Sequence, residues 1–227
     1  QSNALQASAV GHAGPAAINE FLHNCQLIAV RMYTTAAALA GSKELCGILN
    51  EALRDDRPQH AVQFARALNQ HLVTGRAHSA AAAPVRWPPT NCTWRGGALP
   101  PRFRHFFVPG KQFRTPMFLS TSSSRDKALE FLADRGGPDY VLWTIEFDPS
   151  RRCDHVNFID RHDGTLDPND PNYGAEDEFL FAPYSGFIVV RVTWQDAPTA
   201  DRPHEIVLRA VVDNSVIRED APLAPWA

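Results

Sequence analysis

Three stretches of the chain repeat apolar residues at helical spacing before the pattern changes to alternation. Ile18, Phe21, Leu22, Cys25, Ile28, Ala29 and Met32 predict a first amphipathic helix. Leu45, Ile48, Leu49, Ala52 and Leu53 predict a second, with Ser42 as its N-cap and Glu44 and Leu45 in its first turn. Ala61, Phe64, Ala65, Leu68 and Leu72 predict a third, which ends before Gly75. Together these helices read as an N-terminal packing lobe over residues 5–75, and nothing in them demands chemistry. His23, His60 and His71 lie too far apart to form a helical metal pair. Residues 76–90 carry Ala80 to Ala83, then Pro84, Pro88 and Pro89, and break the helical pattern.

Beyond that connection the texture turns to strands, expected at Cys92–Arg95, Met117–Ser120, Val141–Phe147, Phe179–Phe181, Phe187–Trp194 and Glu205–Val212. Ile188, Val190, Val192 and Trp194, with Arg191 and Thr193 between, show the alternation of a half-buried strand. One further helical stripe, Asp126 to Arg135, carries Ala128, Leu129, Phe131 and Leu132. Many strands with few strand–helix–strand units predict an α+β, mainly antiparallel core over residues 76–227. A doubly wound parallel sheet is disfavoured, and neither a dinucleotide glycine fingerprint nor a phosphate loop is present.

Composition narrows the classes. A chain of 227 residues with 44% apolar content buries a real core. A formal net charge of -3 leaves no basic surplus for gripping a nucleic-acid backbone. No apolar run is long enough to span a bilayer. Gln1-Ser2-Asn3-Ala4 reads as a remnant of recombinant expression and is set apart. Cys25, Cys46, Cys92 and Cys153 form no C-x-x-C, so no metal site is expected. Two disulfides in any of three pairings, or four free thiols, fit equally, and the compartment stays open.

Three short motifs stand out. Glu176 and Glu178 are spaced i, i+2 at the mouth of an apolar strand, and on an extended backbone they share a face. Alone, the pair reads either as solvated edge charge or as an acid/base pair. Trp94-Arg95-Gly96-Gly97 reads as a tight turn or as an arginine beside a close backbone approach, suited to phosphate. Phe118-Leu119-Ser120-Thr121-Ser122 is an apolar strand running into hydroxyls, with Ser123 or Ser124 capping the next helix.

In that order, aromatic-Arg-Gly, Ser-Thr-Ser and Glu-x-Glu, the chain resembles the arginine–serine–glutamate class of mono-ADP-ribosyltransferases. That class includes cholera toxin, the clostridial binary toxins and vertebrate ecto-enzymes. The flanks agree: Pro109-Gly110 and Phe113 precede the second motif, and Phe179-Leu180-Phe181-Ala182-Pro183 follows the third. Met32-Tyr33-Thr34 and Leu49-Asn50-Glu51-Ala52-Leu53-Arg54 look like helices that precede this domain in relatives. The resemblance implies one ADP-ribosyltransferase domain, its helical lobe packed on two sheets with an NAD cleft between them.

The resemblance also implies roles. Glu178 is the catalytic carboxylate, set against the ribose 2′-hydroxyl as nicotinamide leaves. Ser120 fixes it, with Thr121 and Ser122 completing the motif at NAD. Arg95 holds the pyrophosphate and nicotinamide ribose, and the backbone of Gly96 meets the nicotinamide amide. Phe131 stacks on nicotinamide or packs in its helix, and Arg135 contacts phosphate or merely ends that helix. Glu176 takes the proton of the acceptor, which points to an arginine side chain on a protein. Tyr173 recognises the acceptor from the loop that leads to Glu-x-Glu. Asp160 to Asn172 forms a long polar approach that reads as acceptor-facing rather than calcium-binding. NAD is the substrate, no metal, nucleic acid or membrane span is implied, and a secreted or translocated protein is favoured over a cytoplasmic one. An NAD glycohydrolase and a catalytically silent NAD-binding domain are the competing expectations.

Overall fold

The computed structural model describes residues 15–34, 38–40, 43–57, 59, 61–74, 87–135, 137–159 and 177–225. Helix α1 (Pro15–Thr34) is followed by a small antiparallel ladder, β1 (Ala38–Ala40) with β2 (Lys43–Glu44). Helices α2 (Leu45–Arg54) and α3 (Val62–Asn69) come next, and α3 runs on into a wider π turn, Gln70–Thr74. The expected N-cap does not form where it was placed. The helix begins at Leu45, and Glu44 occupies the cap position with extended backbone and no side-chain cap bond. Ser42 lies outside the described residues.

The apolar stripe of α1 is also resolved differently from the expectation. Ala29, Val30 and Tyr33 are buried, whereas Phe21, Ile28 and Met32 are 66%, 56% and 38% exposed. A helix that is apolar on more than one side does not choose its buried face from periodicity alone. Here the neighbours decide: Ala29, Val30 and Tyr33 join Leu49, Leu68 and Leu72 of the following helices and turn, together with Phe118, Ile159, Leu180 and Ala182. Among the described residues, no helix is long and apolar enough to cross a membrane.

The remaining elements are β3 (Cys92–Ala98), β4 (Gln112–Arg114), β5 (Leu119–Ser122), α4 (Arg125–Arg135), β6 (Tyr140–Glu146), β7 (Val156–Phe158), β8 (Glu178–Phe181), β9 (Gly186–Thr193) and β10 (His204–Ala210). The short strands β4 and β7 escape a sequence reading because three residues carry too little alternation to register. Where the resemblance implies two sheets, these eight strands of the described residues form one hydrogen-bonded order, β4-β9-β10-β6-β3-β5-β8-β7. Its weakest seam is β3–β5, joined by the single pair Trp94↔Ser122, whereas β3 and β6 pair over seven residues. Among the described strands of this sheet, neighbours pair antiparallel except β6 with β10. Phe113, Phe181, Phe187, Leu99 and Leu208 belong to the larger buried cluster on this sheet. The four cysteines are free thiols.

Candidate active site

Residues from all three motifs are joined by hydrogen bonds where β3, β5 and β8 lie side by side. In the β5–β8 ladder Ser120 opposes Leu180 and Ser122 opposes Glu178, so Ser120 and Glu178 are diagonal neighbours on one face. Ser120 Oγ donates to Glu178 Oε1 at 2.6 Å. Glu178 is only 5% exposed, and a hydrogen bond to a charged oxygen counts for more out of water. From β3, Arg95 reaches across the weak seam and donates from Nη1 to the Ser120 carbonyl at 2.9 Å. Arg95, Ser120 and Glu178 are thus one connected series that bridges the narrowest part of the sheet.

The other residues of the Ser-Thr-Ser motif divide by strand alternation. Thr121 is buried, and its hydroxyl donates to the Phe179 carbonyl at 2.9 Å. It fastens β5 to β8 rather than joining the Arg95–Ser120–Glu178 series. Ser122 Oγ accepts from the Ser124 N–H at 3.0 Å and shapes the corner into α4. Ser124 Oγ in turn accepts from the Lys127 N–H, so the expected serine cap of α4 is Ser124.

Glu178 is the first residue of β8, but the residue before it is not extended. Asp177 has a φ of 43°, in the left-handed region, and its carbonyl accepts from the Ser123 N–H at 3.0 Å. Asp177 is therefore not an extended residue, so strand alternation by itself does not relate the face of Glu178 to that of Glu176. Glu176 and Tyr173 lie outside the described residues, as does the Asp160–Asn172 approach. Phe131 is half-buried on α4. Arg135 is the last residue of α4, and its side chain lies outside what is described.

Gly96 has a reason to be glycine that its motif does not reveal. A Cβ there would meet the Ala128 carbonyl oxygen and stand 2.7 Å from both Leu132 Cβ and Leu132 N. Helix α4 is laid directly on β3 at this point, and only a residue without a side chain allows it.

The fold is shared with solved ADP-ribosyltransferases. The chain is similar to the ADP-ribosyltransferase Vis of Vibrio splendidus, solved with an inhibitor, at 17% identity and a TM-score of 0.58, covering 88% of this chain and 78% of that one. It is similar to the ADP-ribosyltransferase HopU1 of Pseudomonas syringae at 18% identity and a TM-score of 0.53, covering 82% and 76%. Exoenzyme S of Pseudomonas aeruginosa, solved with human 14-3-3 protein beta and bound to Carba-NAD, matches at 17% identity and a TM-score of 0.52, covering 89% and 82%. No family model and no curated protein matches the sequence.

In this fold the helices come closer to the site than their periodicity announced. Tyr33 of α1 is buried, and burial pushes its hydroxyl pKa up strongly; the nearby charge of Glu178 adds to this, while Asn50 and Arg95 act the other way. Cys46 of α2 is pushed up to about 11, mainly by burial and then by its hydrogen bond to Glu44, so it stands as a protonated thiol at neutral pH. Arg54 Nη1 lies 3.1 Å from Met117 Sδ at the approach to β5. Sequence reasoning noticed Tyr33 and Asn50 only as part of a family-like stretch and assigned them no role.

Proposed function

We propose that the protein is a mono-ADP-ribosyltransferase that moves ADP-ribose from NAD to an arginine side chain of a protein acceptor and releases nicotinamide. The observation that carries this reading is the connected series Arg95–Ser120–Glu178. It gathers a cation, a hydroxyl and a buried carboxylate from three strands onto one seam. Such a carboxylate presents fixed negative charge where a sugar cation grows, which favours the transition state over the bound substrate. Ser120 holds its rotamer. The guanidinium of Arg95 matches phosphate oxygens in geometry and charge. The backbone at Gly96, Ser122 at the β5–α4 corner, Phe131 and Arg135 line the nicotinamide and phosphate side in this proposal, and Thr121 holds the strand beneath them. Glu176, assisted by Tyr173, receives the acceptor arginine and takes its proton as the new bond forms. The helical segment 5–75 and the β-rich segment 76–227 act as one unit, working after secretion or translocation.

Labelled NAD offered with agmatine or an arginine-rich protein tests the reading. Glu178→Gln is expected to abolish both transfer and NAD hydrolysis, because losing a charge-stabilising contact of roughly 3–4 kcal/mol slows turnover about a hundred- to a thousand-fold. Glu176→Gln is expected to keep hydrolysis and lose transfer to arginine; equal loss of both removes its role. Undiminished NAD consumption by Arg95→Ala ends the proposed phosphate grip.

A further inference from the structure

The N-terminal helices read as packing, yet two of their polar side chains are strung together toward the site. Asn50 Oδ1 accepts from the backbone N–H of Phe118 at 3.1 Å, and Asn50 Nδ2 donates to Tyr33 Oη at 3.1 Å. A backbone N–H can be met only by an acceptor, so the amide of Asn50 has one permitted orientation. Tyr33 also sets its ring edge-on against Phe118, with centroids 5.5 Å apart. Phe118 is thus gripped twice, at its amide and at its ring. It stands immediately before β5, whose ladder with β8 begins only at Leu119↔Phe181.

That grip lies where the sheet itself is weak. Strand β5 is four residues long and meets β3 through one register pair. Two residues beyond Phe118 stands Ser120, with its 2.6 Å bond to Glu178. The Phe118 N–H has its bond from α2, and Arg54 adds the contact to Met117 one residue earlier. Tyr33 lies within reach of the charges of Glu178 and Arg95, so it shares the field of the site.

We propose that Tyr33 and Asn50 are positioning residues, which hold the start of β5 and through it the Ser120–Glu178 contact, so that the helices belong to the catalytic apparatus. This rests on the transferase reading above. Neither side chain is asked to touch substrate. A shift of about 1 Å in a reacting group costs on the order of a hundredfold, so a partial loosening of β5 is expected to slow turnover about tenfold.

The test uses the full chain with NAD, comparing wild type, Tyr33→Phe, Asn50→Ala and Asn50→Asp, with amide exchange of Phe118 followed by NMR. Asn50→Ala and Tyr33→Phe are expected to lower kcat about tenfold while KM for NAD stays within about twofold, and to lower hydrolysis and arginine transfer in equal proportion. Phe118 exchange is expected to rise in Asn50→Ala and to remain near wild type in Asn50→Asp, whose carboxylate still accepts from the amide. Unchanged kcat in an active protein, unchanged Phe118 exchange in Asn50→Ala, or KM rising in step with the loss overturns the positioning role while leaving the transferase reading intact. If Asn50→Ala does not fold, Tyr33→Phe decides by the same kinetic split. A wild-type protein that consumes no NAD sinks the transferase reading itself, and the positioning role with it.

Discussion

The two hydroxyls at Ser120 and Thr121 are adjacent in sequence and opposite in purpose. Strand alternation sends Ser120 to the Glu178 carboxylate at 2.6 Å and Thr121 to the Phe179 carbonyl at 2.9 Å. Removing the first leaves a buried anion short of one donor, a loss of about 1.5–3 kcal/mol for a hydrogen bond to a charged group. Ser120→Ala is therefore expected to cut kcat for NAD hydrolysis by about ten- to a hundredfold and to lower the unfolding midpoint as well, because the carboxylate left short is buried. Thr121→Val is expected to touch stability alone. It gives up about 1 kcal/mol of stability and leaves KM for NAD alone, because its hydroxyl serves the strand pair. Denaturant titration beside steady-state kinetics separates the two cases, and a kinetic defect in Thr121→Val without loss of stability contradicts the division.

At the scale of elements, helix α4 and strand β3 are locked together by what Gly96 lacks. Leu132 atoms stand 2.7 Å from where a Cβ would sit, and the Ala128 carbonyl is closer still. Those neighbours are backbone and a helix side-chain root, so they cannot swing aside. Gly96→Ala is expected to destabilise the fold by about 1–3 kcal/mol, as overpacking does, whether or not NAD is present. If instead the variant unfolds like wild type and only NAD binding suffers, the glycine answers to the ligand and not to the helix. The left-handed Asp177 belongs to this scale as well. Its carbonyl is held by the Ser123 N–H, so the turn into β8 is set by the corner where β5 passes into α4.

For the molecule as a whole, His155 couples stability to pH. It is buried; Nε2 donates to the Val211 carbonyl at 2.7 Å and Nδ1 lies 2.9 Å from Ser185 Oγ. These contacts tie the β7 region to the turn before β9 and to the chain after β10. Burial lowers its pKa to about 4; the Val211 carbonyl and the charges of Asp154 and Asp213 oppose the shift, and Arg114 reinforces it. The folded state thus disfavours the protonated ring, and the unfolded chain binds the proton more readily. This contribution is fully present above the unfolded value near 6.5 and is lost progressively as pH falls toward 4. The full difference is on the order of 3 kcal/mol. Urea midpoints are expected to drop from about pH 7.5 to about pH 5 in wild type, and to drop less in His155→Gln. Parallel curves for the two proteins remove His155 as the cause.

Much of this was legible in the chain alone. The helical spacing of α2 and α3 is a local pattern, set by the period at which side chains recur on a helix, while the order Arg95, Ser120, Glu178 was legible through its resemblance to a known family. The period of a strand likewise located most of the longer strands. What the tertiary structure decided depends on contacts remote in sequence. Asn50 and Phe118 are 68 positions apart, and no period links them. The face that α1 buries, the helix that demands Gly96, the parallel pairing of β6 with β10 and the left-handed step before Glu178 were settled only when those distant surfaces met. Residue spacing sets which side chains can share a face; packing decides which of them meet a partner there.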